Sequence, residues 1–196
     1  NPTLLAIFAH PDDESFGNGG TLALYARRGV AVHLICATRG EAGMVDTAHL
    51  EGYASIAELR EAELRCAAGI LGLSGVYFLN WRDSGMPGSV DNQHPQALIQ
   101  QPVEVVGEQI AGHIRRLKPQ VVVTFDPIGG YKHPDHIHVH LATERGFHLA
   151  SDPSFDSALP PYAPQRLYYS LFPKGMLRWA ARLMPLVGQD PRRFGR

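Results

Sequence analysis

The chain has little of what marks an exported, fibrous or membrane-embedded protein. Only two of its 196 residues are cysteine, Cys36 and Cys66. Both lie in apolar settings and read as buried free thiols, so no disulfide framework is expected and a reducing, cytoplasmic setting suits them. No apolar run approaches the ~20 residues that cross a bilayer, so no membrane span is expected. Neither sign of charge is in excess, with 18 Lys and Arg against 19 Asp and Glu. A near-neutral surface gives no electrostatic ground for binding nucleic acid or an anionic lipid face.

What the chain does have is a core's worth of apolar residues, 44% of the total, and ten histidines, five of them between His133 and His148. At this length it reads as one domain over 1–196. Short apolar runs alternate with helical patterns. Leu4 to Ala9 reads as a strand, Gly19 to Arg28 as a helix, Ala31 to Ala37 as a strand and Ile56 to Leu71 as a helix closed by Gly72. Val76 to Leu79 is a short strand ahead of a long loop, Asn80 to Gln101. Pro102 to Leu117 is an amphipathic helix with Pro at its first position. Val121 to Phe125 is a strand feeding a helix from Pro134 to Ala150. Residues 151–196 read as a Pro-rich loop, an extra strand over Leu167 to Phe172, and a carboxy-terminal extension with a helix over Met176 to Leu183.

Strands that are continuously apolar and alternate with helices predict an α/β fold: a Rossmann-like, doubly wound, mostly parallel sheet with helices on both faces. In the strand order 3-2-1-4-5 the first and fourth strands are neighbours, and the crevice at their carboxyl ends is where such folds bind ligands. The loops after those two strands carry the densest chemistry in the chain. Ala9 to Glu14 reads AlaHisProAspAspGlu, placing His10, Asp12, Asp13 and Glu14 together. The triplet HisProAsp recurs at His133, after Asp126 and ahead of His136.

Clustered carboxylates at a buried strand end destabilise one another unless a positive charge sits among them. A capped, solvated turn accounts for either loop alone, but two such loops meeting in one crevice point to a divalent metal. A catalytic zinc takes three ligands from His, Asp or Glu and keeps one position open. His10, one acid of the first loop and one His of the second supply that set. A remaining acid can take a proton from the metal's water, and one of His133 and His136 is left to act on the oxyanion or leaving group. A site of this composition also accepts Fe²⁺, Mn²⁺ or Co²⁺. His138, His140 and His148 read as packing or helix-surface residues. Asp135 or Asp126 is positioned to orient an imidazole. Arg39 and Glu41 are expected to face the crevice, while Arg60 and the Arg82 to Gly85 turn have bland readings as charge pairing and an Asp-stabilised turn.

With these motifs in view, the chain resembles the PIG-L/LmbE-like zinc de-N-acetylases. The resemblance rests on AlaHisProAspAspGlu, on GlyTyrLysHisProAspHis from Gly130 to His136, on ThrArgGlyGlu from Thr38, on ArgGluAlaGlu from Arg60, and on ArgAspSerGlyMet from Arg82 to Met86. It implies a Rossmann-like fold and removal of acetyl from an N-acetylglucosaminyl conjugate, a small-molecule partner. It implies His10, Asp13 and His136 as zinc ligands, Asp12 as general base, and His133 as the general acid or oxyanion partner, with Tyr131 lending its hydroxyl to the oxyanion. Glu41, Arg60 and Asp83 would contact the sugar or its aglycone. The stretch from Arg82 to Met86 is similar to that of the branch acting on mycothiol- and bacillithiol-type compounds, which include thiol S-conjugates.

Two other classes compete. A dinucleotide-dependent oxidoreductase is suggested by Gly17, Gly19 and Gly20, but Leu22 stands at the third glycine position and Arg39, not an acid, follows the second strand. A non-catalytic sugar-binding or metal-storage protein would need neither Asp12 nor His133 nor Tyr131, and all three are present.

Overall fold

The structure, a computed structural model, describes residues 1–171, 175, 179 and 182–187. In chain order the elements are β1 (Thr3–Phe8), α1 (Gly19–Arg27), β2 (Ala31–Cys36), α2 (Ile56–Leu71), β3 (Gly75–Phe78), α3 (Val103–Leu117), β4 (Val121–Phe125), a distorted single turn α4 (Gly129–Lys132), α5 (Pro134–Leu149) and β5 (Arg166–Ser170). The sheet order is β3-β2-β1-β4-β5, and all described pairings are parallel. The expected doubly wound sheet is therefore present, wholly rather than mostly parallel.

β1 is central because its run Leu4 to Phe8 is buried on both faces. Each of its Leu, Ile and Phe side chains contributes about 1.5–3 kcal/mol. Its partners are β2, in register from Thr3↔Ala31 to Phe8↔Cys36, and β4, from Leu4↔Val121 to Ala6↔Val123. The path steps from β1 to β3 in one direction, then reverses to reach β4. With right-handed crossovers, that reversal sends α1 and α2 to one face and α3 and α5 to the other. β1 and β4 flank the reversal, so the loops after them meet in one crevice.

Close packing of α3 on α5 fixes the second of those loops. A Cβ on Gly146 would lie 2.7 Å from the Gly107 carbonyl oxygen and 2.8 Å from the Ile110 side chain. Two glycines thus let the helix backbones touch. Below them Arg115, 2% exposed, donates to the carbonyls of Ala150, Phe155, Leu159 and Asp152. It ties the exit of α5 to the loop that follows.

Several boundaries differ from the sequence reading. Pro102 caps α3 rather than occupying its first turn, because its ψ of 134° is extended. The long loop after β3 holds two short 3-10 turns, Val90–Gln93 and Leu98–Gln100. Cys36 is buried as expected, but Cys66 is exposed, since the inward stripe of α2 is Leu59, Leu64 and Ala68. The extra strand is present as β5. The helix expected over Met176 to Leu183 lies mostly outside the described residues.

Candidate functional site

The loop after β1 turns back on itself at Asp12, whose φ of 118° is unusual for a residue with a side chain. Five hydrogen bonds hold it there. Glu14, 1% exposed, accepts the Asp12 N–H at 3.0 Å; the Asp12 carbonyl accepts from Ser15 and Phe16; and Arg60 of α2 donates to the Pro11 carbonyl and, at 2.9 Å, to Asp12 Oδ2. Asp13 then folds inward, its Oδ2 accepting the His10 N–H at 2.8 Å.

The loop after β4 is built as tightly. Asp126 Oδ1 accepts from Gly130 N–H at 2.6 Å, and Gly129, at φ 62°, packs so closely that a Cβ there would lie 2.9 Å from the Cβ of His136. His133 caps α5, with Pro134 beginning the helix. Its Nδ1 accepts the Asp135 N–H at 3.2 Å, which leaves the proton of the neutral ring on Nε2.

Across the β1/β4 crevice the two loops interlock. His136 Nε2 lies 3.3 Å from His10 Nδ1 and 3.4 Å from Asp13 Oδ1, and His10 Nδ1 lies 3.5 Å from Asp13 Oδ2. Donor atoms at ~2.0–2.1 Å from a tetrahedral zinc are about 3.3–3.4 Å apart, a spacing that the two imidazole nitrogens match, with one Asp13 oxygen beside each of them. The far nitrogen of His10, Nε2, meets Asp135 Oδ2 at 3.1 Å and Asp83 Oδ1 at 3.4 Å. A carboxylate on the second ring nitrogen is what orients a metal-binding imidazole. The sets His10, His133, His136 and His10, Asp83, Asp135 each bring one ligand-type atom per residue within 4.8 Å. Asp135 Oδ1 and His136 Nδ1 are buried with no hydrogen-bond partner among the described residues.

The electrostatics match a site made for a cation. Burial opposes charge on His10, but hydrogen bonds to Asp13, Asp135 and Asp83 outweigh it and carry its pKa well above the usual value. Burial likewise opposes charge on Asp13 and Asp83, yet hydrogen bonding to His10 keeps both below the normal carboxylate range. His136, desolvated by burial, is lowered to about 4 and stays neutral, with one ring-nitrogen lone pair free, at neutral pH. Asp12 goes the other way: burial, and then the charge of Asp13, raise its pKa, the direction that suits a carboxylate exchanging protons near neutrality. Burial and the charge on His10 lower His133. Burial raises Tyr131 and keeps its hydroxyl protonated.

The remaining residues divide. Tyr131, 59% exposed, sets its ring against His133 and His136, with centroids 5.9 and 5.1 Å away. Glu41 and Asp83 brace each other's loops: Glu41 Oε2 accepts the Asp83 N–H at 3.0 Å, and Asp83 Oδ2 accepts the Ala42 N–H at 3.3 Å. Arg60 reaches the first loop instead of pairing only along its helix. Arg39 is a correction. It turns from the crevice to Glu61 at 2.6 Å and Asn80 at 2.8 Å, with its guanidinium over the Phe78 ring. Asp126 braces its own loop rather than an imidazole, whereas Asp135 does contact one. The bracing of Asp12 by Glu14 has no signal in the sequence, because it depends on the backbone turn at Asp12.

Comparison with known proteins identifies relatives of the chain. The chain is 40% identical over 203 residues to a protein of Catenulispora acidiphila named 1D-myo-inositol 2-acetamido-2-deoxy-alpha-D-glucopyranoside deacetylase 2, covering 96% of this chain and 66% of that protein. It is 40% identical over 183 residues to a Thermobifida fusca protein named as the corresponding deacetylase, covering 89% of this chain and 63% of the relative. The chain thus spans less than two thirds of their length. Among solved structures, N,N'-diacetylchitobiose deacetylase from Pyrococcus horikoshii superposes with a TM-score of 0.68 at 25% identity, covering 94% of this chain and 76% of that one. The family model described as GlcNAc-PI de-N-acetylase matches residues 5–146, and the chain belongs to that PIG-L family.

Proposed function

We propose that this chain carries the catalytic core of a metal-dependent hydrolase that removes acetyl from an N-acetylglucosaminyl conjugate. The observation that carries the reading is the meeting of His10 Nδ1 and His136 Nε2 with the Asp13 carboxylate, whose Oδ2 lies 3.5 Å from the first and whose Oδ1 lies 3.4 Å from the second, beside a carboxylate of raised pKa, Asp12. These three residues are the ligands, and zinc is the ion of choice, with Fe²⁺, Mn²⁺ or Co²⁺ as substitutes. When bound, such an ion lowers the pKa of a water and polarises an amide carbonyl.

The chain's own residues supply the rest. Asp12 takes the proton of the attacking water, so that oxygen adds to the acetyl carbon. Tyr131 donates its hydroxyl to the oxyanion that develops there. Asp12 then passes the proton it took to the departing amine as the C–N bond breaks, while His133, with its proton on Nε2, donates a hydrogen bond to the oxyanion. The products are acetate and a free amino sugar. Glu41, Arg60 and Asp83 hold the sugar or its aglycone at the crevice wall. No helix among the described residues is long and apolar enough to cross a membrane, and the two unpaired cysteines fit a cytoplasmic setting.

The names of the two curated relatives make a glucosaminyl-inositol conjugate the first substrate to try. The test is primary-amine release from a panel of N-acetylglucosaminides bearing inositol, malate or methyl aglycones, with a thiol S-conjugate alongside. Release from a panel member supports the reading. Tight binding of a glycoside without release would favour a binding protein.

A further inference from the structure

A metal-binding imidazole is ordinarily aimed by a hydrogen bond at its second ring nitrogen. His10 has one, to Asp135. His136 differs: its Nδ1 is buried and meets no hydrogen-bond partner among the described residues. Contact aims it instead. The ring lies flat on Phe125, with centroids 3.9 Å apart and planes 9° from parallel, while its Cβ abuts Gly129. Whatever fixes Phe125 therefore fixes His136.

Phe125 ends β4, and its carbonyl oxygen lies 2.9 Å from Nδ1 of His140, one turn beyond His136 on α5. A carbonyl only accepts, so Nδ1 is the donor. His140 is buried among these elements. On its other side Nε2 faces Glu144 Oε2 at 3.6 Å, and Glu144 Oε1 accepts the Tyr169 hydroxyl of β5 at 2.5 Å. A continuous set of contacts runs from β5 through Glu144, His140 and Phe125 to the ring of His136.

We propose that His140 is a positioning residue for the metal centre. It pins the Phe125 backbone, and the pinned Phe125 ring sets the plane of His136. The proposal rests on His136 being a metal ligand, and goes beyond that reading in giving a role to a histidine that otherwise passes for core packing.

The test is zinc affinity, measured by competition with a chromophoric chelator, with thermal unfolding recorded beside it. His140→Asn keeps an N–H donor near the place of Nδ1. His140→Gln moves the donor toward Glu144, and His140→Leu has none. The expected result is zinc binding weakened about 10-fold or more in the Gln and Leu variants, with Asn close to wild type. Phe125→Leu weakens zinc similarly, and adding His140→Leu to it changes little further, because both act through one ring. If Gln and Leu bind zinc as wild type does, or if Asn is no better than Gln, the proposal is overturned. Should the Leu variant not fold, the Asn and Gln pair decides. His136→Ala separates the underlying reading: undiminished zinc affinity there removes the ligand assignment, and this inference with it.

Discussion

His10 Nδ1 and His136 Nε2 lie 3.3 Å apart although 126 residues separate them in the chain. The contact exists because β1 and β4 are neighbours at the point where the sheet reverses direction. Two imidazole nitrogens beside a carboxylate answer a shared cation better than they answer one another.

Zinc should therefore stabilise the fold. At a concentration 100 times its dissociation constant it adds about 2.7 kcal/mol, which for a domain of this size raises Tm by about 5–10 °C. Scanning fluorimetry with and without zinc reads this directly. His136→Ala and Asp13→Ala should each abolish the rise while leaving a folded protein.

Asp12 combines a strained backbone with the side chain proposed as the general base. Both Asp12→Ala and Asp12→Gly should lower kcat by about 100-fold or more. The glycine variant should be the more stable of the two by about 1 kcal/mol, because only glycine adopts φ 118° without cost. Urea unfolding of the pair checks the backbone part, and turnover checks the chemistry. Equal stabilities would mean that the turn carries no strain.

Arg115 supplies donors to four carbonyls around the exit of α5. Arg115→Met leaves those acceptors buried, and a loss of about 3 kcal/mol or more is expected. Arg115→Lys should recover little, since an ammonium lacks the planar fork that spans them. Denaturant midpoints of the two variants measure this.

His113 on α3 packs against Tyr77 with its Nδ1 unpartnered among the described residues, and burial together with nearby Arg116 lowers its pKa to about 4. The unfolded chain, with a His pKa of ~6.5, then binds the proton first. The stabilisation from His113 is full above about pH 6.5 and is lost as pH falls from there toward 4, on the order of 2 kcal/mol after allowing for partial exposure. His113→Phe should flatten that part of the profile in metal-saturated protein, followed by denaturation at pH 7 and pH 5. An unchanged slope would place the acid sensitivity elsewhere.

The parts of the fold legible in the sequence were those written in local pattern. β1 and β4 are continuous apolar runs because both faces are covered, and α2 carries its own stops, Ser55 capping Glu58 N–H and Gly72 at φ 75°. The two HisProAsp loops follow neighbouring strands, so fold and composition named one crevice. What escaped depends on side chains reaching across elements. Arg60 grips the first loop from 48 residues away, Arg39 swings to Asn80 rather than the crevice, and Cys66 falls just off the inward stripe of its helix. The stacking of Phe125 on His136 leaves no periodic trace at all.

The most direct test of the central claim is amine release from an N-acetylglucosaminyl conjugate by chelator-stripped protein titrated with zinc. The account predicts no release without metal, a rise that breaks at one equivalent, and release slowed about 100-fold or more in Asp12→Ala at every zinc level. Release that persists in excess chelator, or protein that holds one zinc and releases no amine from any conjugate, would contradict it.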